Sequence, residues 1–332
     1  MNLAFAIRTI RWMVRDTFRQ SLATKLFWVM LAITAVCTLF CLSITVTGDT
    51  PPTGTGYDAG GFITPEQAKE IGEEKVKKDG LKVLRGEVSF GFGLMTVPIN
   101  RYKEDAVRYV QIWLAAILAD TAGVLLALLW TAGFLPTFLE PQSATVLLAK
   151  PASRWALLVG KYLGVVLFVG LQAFVFVAAT WFALGGKTGV WDATYWLAVP
   201  LLTLNFAVFY AVSAFLAVAS RSTVVCIFGT LLFWLLCWTI NYTHIRLLAQ
   251  PVEGMAGTAV LDAGYWVLPK PLDLGGVFYD AMRATGFSAP VPELDAVQKK
   301  GQLCPELSVL TSLLFALLVL LLAAYEFKST DY

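Results

Sequence analysis

Charge is scarce in this 332-residue chain: 14% of its residues are Asp, Glu, Lys or Arg, while 58% are hydrophobic. A soluble protein averages roughly 45–50% apolar and about 25% charged residues, so most of this chain cannot face water. What charge there is nearly cancels, 25 basic against 23 acidic residues for a net +2, which leaves no broad positive field of the kind that nucleic-acid binding needs. Histidine occurs once, as His244, so H-E-x-x-H zinc chemistry is excluded, and no G-x-S-x-G nucleophile elbow is present. Of the five cysteines, Cys37, Cys41, Cys226 and Cys237 lie inside apolar runs and Cys304 lies in a polar segment. That spacing makes no disulfide or metal framework. A nucleotide-binding loop is missing as well. Gly185-Gly186-Lys187-Thr188 ends like one, but Trp181 stands where the first glycine is required. The chain is therefore expected to be no enzyme and to bind no metal or cofactor itself.

Apolar runs long enough to cross a bilayer, about 20 helical residues each, occur at 26–46, 110–135, 155–184, 194–219, 223–240 and 307–325. They predict an all-α polytopic membrane protein of six transmembrane helices. With the N-terminus in the cytoplasm, Lys25, Lys150, Arg154, Lys161, Arg221 and Lys328 fall inside and the short outer loop carries only Lys187, as the positive-inside rule favours. The loops 47–109 and 241–306 are then extracytoplasmic, and the turn 136–154 and the tail 326–332 are cytoplasmic. In the first outer loop, Thr64, Pro65 and Gln67 predict a capped helix running to about Gly80. The following GEVSFGFGLMTVPI suits a short strand or hairpin. Residues 1–25 form an amphipathic pattern, Leu3, Ile7, Ile10, Val14 and Phe18 on one face and Arg8, Arg11, Arg15 and Arg19 beside it. It describes an interfacial helix with its arginines toward anionic headgroups.

Polar residues inside the spans are few. Asp120 lies ten residues into the second span, about 15 Å along its axis, and an aspartate at that depth costs about 2.5–3.5 kcal/mol to insert. It must face protein or water, either lining a transport route or carrying a proton, or holding a structural hydrogen bond to a residue such as Asn205 or Gln172. Gly160 with Gly164, and Ser213 with Ala217, form small-xxx-small faces for helix packing. Lys161 is expected to snorkel to the cytoplasmic headgroups, and His244 to sit at an interface beside Tyr242.

One apolar stretch is interrupted. FLPTFLEPQSATVLLAKPASRW, residues 134–155, places Pro136, Pro141 and Pro151 around one short helix at about 142–149. Glu140 precedes that helix and Lys150 follows it, as a helix dipole favours. Two turns are too short to be stable alone, so the helix either rests on the membrane surface or docks on a partner. An acidic residue, a small-residue segment, a Leu-Leu pair, a proline, an arginine and a Gly-Lys pair follow one another as Glu140, Ser143 to Thr145, Leu147 and Leu148, Pro151, Arg154, and Gly160 with Lys161. In this the chain resembles the permease subunits of type-2 ABC exporters. YWVLPKPLDL at 265–274 and the six-span layout resemble them too, while Ala144, Pro141 and Gln142 depart from the usual pattern.

The resemblance implies that 142–149 is a coupling helix. Glu140, Gln142, Ser143, Thr145, Leu147, Leu148 and Arg154 would contact a separate ABC ATP-binding subunit, which holds the ATP and Mg. It also implies a second permease chain, identical or not, and a bacterial inner membrane. The expected activity is export of an unidentified substrate by alternating access. The alternatives are a non-transporting membrane scaffold or binding protein, and an ion-coupled carrier built on Asp120.

Overall fold

The computed structural model describes residues 3–50, 62–63, 65–72, 75, 78–79, 82–99, 101–139, 154–250, 258–282, 293, 297, 300–301 and 304–329. Long helices dominate, because in hydrocarbon each backbone N–H must find its acceptor within its own segment. Five are long and apolar enough to cross a membrane. These are α4 (Lys103–Phe138), α5 (Arg154–Thr188), α6 (Ala198–Ser220, led by a 3-10 turn from Ala193), α7 (Thr223–Ala249) and α10 (Pro305–Ser329). A sixth span is counted if α1 (Leu3–Ala23) and α2 (Lys25–Leu42), bent by 69° at Thr24, act as one. At 36 and 35 residues, α4 and α5 are longer than the apolar runs within them. They overshoot a hydrocarbon core of about 30 Å.

The first span ends earlier than its apolar run. At Ser43 the hydroxyl turns back to the Phe40 carbonyl, and the Ser43 carbonyl accepts from Phe92 N–H. The chain then leaves the helix as β1 (Thr45–Gly48). β1 pairs antiparallel with β4 (Gly86–Phe90), which pairs with β5 (Met95–Pro98), Val46 opposite Val88 and Val88 opposite Val97. Ile44, Val46 and Val88 are buried with Cys41, Val107 and Leu184, so this sheet caps α2, α4 and α5. Two further strands, β2 (Phe62–Ile63) and β3 (Lys82–Val83), pair in parallel. Between them α3 (Pro65–Ile71) stops at Gly72, which takes φ +86°. A left-handed glycine is a common helix stop, and it ends α3 well short of Gly80.

Residues 241–306 are less of a loop than their polarity implies. The last turns of α7 fall within them, as do α8 (Thr258–Val267) and α9 (Pro271–Ala281). α9 packs against α4, α6, α7 and α10, and its Phe278 and Tyr279 join the main core with Tyr195. Opposite them, Arg221 with φ 54° closes α6 so that α7 starts two residues later. Between α5 and α6, Asp192 accepts from Arg108 Nε at 2.7 Å and from Thr194 N–H at 2.9 Å. Burial works against its charge, but these bonds and the Arg108 charge outweigh it and hold the carboxyl below its ordinary value.

α1 packs along the first half of α5. Its buried side chains are Ala6, Met13, Thr17 and Ser21, small or flexible groups beside Ile10, Val14 and Phe18 of the apolar face, and Phe18 packs edge-on against Phe168 of α5. Ile7 stays 57% exposed, and Arg8, Arg11, Arg15 and Arg19 are all exposed. The close approach is made by Gly160 and Gly164. A Cβ at Gly160 would lie 2.8 Å from Met13 Cβ and 3.1 Å from Ile10 Cα, and one at Gly164 2.8 Å from Thr17 Cβ. Lys161 does not snorkel. It is 2% exposed, its Nζ donates to Gln20 Oε1 at 2.6 Å, and it lies near the Phe134 and Phe138 rings. With α1 laid across it, the ammonium meets a side-chain amide before it reaches the headgroups.

Gly160→Ala is expected to lower the stability of the purified protein by about 1–3 kcal/mol, the usual cost of overpacking. Gly186→Ala, where an added Cβ meets nothing within 4 Å, should leave it unchanged. Thermal unfolding followed by intrinsic fluorescence checks this, and equal midpoints for the two variants would disprove the tight α1–α5 contact.

Candidate functional site

α4 brings Asp120 into the bundle within an 11-residue stretch of π-helical hydrogen bonding, Trp113–Gly123. Single-turn π-bulges are the usual form of such a feature, so this stretch is long. Across from it, Asn205 on α6 is 1% exposed and donates from Nδ2 to Asp120 Oδ1 at 2.7 Å. Of the two partners considered for Asp120, the structure brings Asn205 to it. Gln172, on α5, lines a different cavity of about 250 Å³ with Met30, Thr34, Leu118 and Phe176, and its buried Nε2 has no hydrogen-bond partner. The α4 residues on that cavity include Leu118, Ala119, Ala122 and Gly123, whereas Ala116, Asp120 and Thr121 line one shared with α6, α7 and α9. Gln172 and Asp120 thus belong to separate environments.

A second polar centre escaped the sequence reading. Asp273 on α9 is fully buried and gathers three neighbouring elements. Asn241 Nδ2 of α7 donates to Oδ1 at 2.9 Å, while Tyr265 OH of α8 and Ser308 Oγ of α10 both donate to Oδ2 at 2.6 Å. Asn241 Oδ1 in turn accepts from Leu272 N–H at 2.9 Å, near the N-terminus of α9. Lys270, 1% exposed, donates to Thr311 Oγ1 at 2.7 Å and lies 4.8 Å from the Tyr265 ring centroid. Burial lowers the Lys270 ammonium from its ordinary value, with the Asp273 charge acting against that. Burial beside the same carboxylate raises the Tyr265 phenol. His244 stacks on Tyr265 at 3.7 Å between centroids and contacts Asp262 at 3.3 Å. The available signal was the run Lys270, Pro271, Asp273, a lysine and an aspartate on either side of a helix-starting proline.

The residues read as an ATPase-docking surface divide. Glu140, Gln142, Ser143, Thr145, Leu147 and Leu148 lie outside the described residues. Arg154 is described: it opens α5, and its Nη1 donates to the Phe327 carbonyl at 3.5 Å, near the C-terminus of α10, where a cation is favoured. On the other side of the turn, Leu135, Pro136 and Leu139 are buried. Both feet of the turn are therefore held by the bundle.

Asp273→Ala is expected to leave the hydroxyls of Tyr265 and Ser308 and the amide of Asn241 without an acceptor. The expected loss is about 3 kcal/mol or more, since hydrogen bonds to a charged group contribute roughly 1.5–3 kcal/mol each. Asp273→Asn, which keeps one acceptor oxygen, should lose less. Thermal unfolding of the two variants checks the order, and a reversed or flat order would reject the Asp273 hub.

No curated protein and no solved structure matches this chain. The family model of the ABC-2 family transporter proteins matches residues 11–332. That match takes in α2 through α10, both polar centres and the turn between α4 and α5. The chain belongs to the ABC-2 family transporter proteins, integral membrane permeases of ABC transporters that associate with an ABC ATP-binding subunit.

Proposed function

We propose that this chain is the permease subunit of an exporter in which the turn 136–154 receives the motion of a separate ATPase. ATP and Mg are bound by that ATPase. The permease pairs with a second chain, the same or similar, in a bacterial cytoplasmic membrane with both termini inside. Substrate crosses by alternating access between the two permease chains.

The observation that carries this reading is the anchoring of the turn within a family match spanning residues 11–332. Leu139 is 2% exposed at one foot, and Arg154 bonds the end of α10 at the other. Lys161, about two helical turns beyond Arg154 in the same wall, ties α5 to Gln20 of α1. A displacement of the turn is therefore passed to α1, α4, α5 and α10 together, because packed helices shift as units.

The test is a mild-detergent pull-down of the tagged protein from its host, comparing wild type with a deletion of 142–149. An ATP-binding subunit that co-purifies with wild type and is lost in the deletion supports docking at this turn. Glu140→Lys should weaken the same recruitment at least tenfold, about 1.4 kcal/mol, with the thermal midpoint of the membrane domain unchanged. If cross-linked wild type brings down no ATPase, the exporter reading is abandoned.

A further inference from the structure

Beside Asp120 lies a cavity of about 60 Å³ bounded by α4, α6, α7 and α9. Asp120, Asn205, Trp234, Trp238, Gly275 and Tyr279 contribute to its walls. Two of its polar atoms are buried with no hydrogen-bond partner, Asn205 Oδ1 and Trp234 Nε1. The bond from Asn205 uses Asp120 Oδ1 and leaves Oδ2 toward α9, where a Cβ built on Gly275 would lie 3.9 Å from it. Among the described residues no cationic side chain pairs with Asp120. Lys270 adjoins the cavity-lining Pro271 in sequence, but its Nζ is bonded to Thr311 Oγ1.

A buried acid with no cationic partner among the described residues, next to a buried amide oxygen without a donor, is an incomplete site. Its vacant groups define what would complete it. Asp120 and Asn205 line the space, and Trp234 and Trp238 add aromatic rings to the wall. An anion would be repelled by Asp120. Water alone would satisfy Asn205 Oδ1 but leave an ionised Asp120 uncompensated. A group that carries positive charge, donates several hydrogen bonds and lies well against indole rings suits the two oxygens and the rings, and leaves only the Trp234 N–H without an acceptor.

We propose that this cavity binds a compact monovalent cation of the primary-ammonium class, with Asp120 Oδ2 and Asn205 Oδ1 accepting its hydrogen bonds. The space holds more than one water-sized group, enough for ammonium or a methylammonium-sized group. Choline has no N–H to donate. The ion is either free in solution or the amino head of a larger cargo. The inference stands on the chain's own residues and does not require the exporter reading.

The full chain in lipid nanodiscs is followed by thermal unfolding in the chlorides of ammonium, methylammonium, potassium and choline at constant ionic strength. Ammonium and methylammonium should raise the midpoint saturably above potassium and choline, as a ligand of the folded state does. Asp120→Asn, near-isosteric and still able to pair with Asn205, should abolish that difference. Gly275→Ala introduces no left-handed strain and puts its methyl at an ordinary contact distance from Asp120 Oδ2. It should lose the methylammonium response and keep that to ammonium. Loss of the methylammonium response to longer primary amines would mark a free-ion site, whereas a retained response would mark the head of a cargo. Four salts acting alike on wild type would overturn the proposal, as would equal responses in wild type and Asp120→Asn. Should Asp120→Asn fail to fold, an unchanged methylammonium response in Gly275→Ala overturns it alone.

Discussion

Inside a bilayer an apolar side chain is as well solvated by lipid as by protein, so the hydrophobic effect cannot choose one helix neighbour over another. What chooses here is the close fit around α6. In its most apolar window 67% of residues are buried, against 22–33% for the other spans. Small residues make the fit: Ser213, Ala214 and Ala217 are 0–2% exposed and α10 packs along α6, with its own Ala316 and Ala323 buried. Two polar bonds fix the register. Asn205 holds Asp120 of α4, and Tyr162 OH of α5 donates to the Ala207 carbonyl at 2.8 Å. The other elements take their places from this central helix.

Composition and run length made the spans legible, because no other structure hides so many apolar residues from water. They could not resolve α9. An 11-residue helix with two glycines and two aspartates falls below any span-length rule, and its polarity reads as exposed loop. Only the fold shows Asp273 turned to α7, α8 and α10. Lys161 was misjudged for a related reason. Periodicity finds the apolar stripe of a helix but not the stripe that another helix will use. In α1 the used stripe is Ala6, Met13, Thr17 and Ser21, selected by the glycines of α5. Asp120 with Asn205 was readable because both are polar residues deep within apolar runs, where an unpaired group is costly.

The two polar centres are not independent, since α9 carries both. Leu272, Gly275 and Tyr279, spaced three and four apart, face the Asp120 cavity, while Asp273 faces the other way into its hydrogen bonds. A helix of three turns pinned so firmly on one face presents the other as a fixed wall. α4, by contrast, meets that wall with its Trp113–Gly123 stretch, whose π-helical bonding departs from the regular i to i−4 ladder. Any movement that slides α4 along α6 must break the 2.7 Å bond from Asn205. The aspartate therefore sets a threshold on relative motion of the two helices. Because α4 also ends at the anchored foot of the 136–154 turn, a force applied at that end of α4 is resisted at Asp120, through one continuous helix and one buried hydrogen bond.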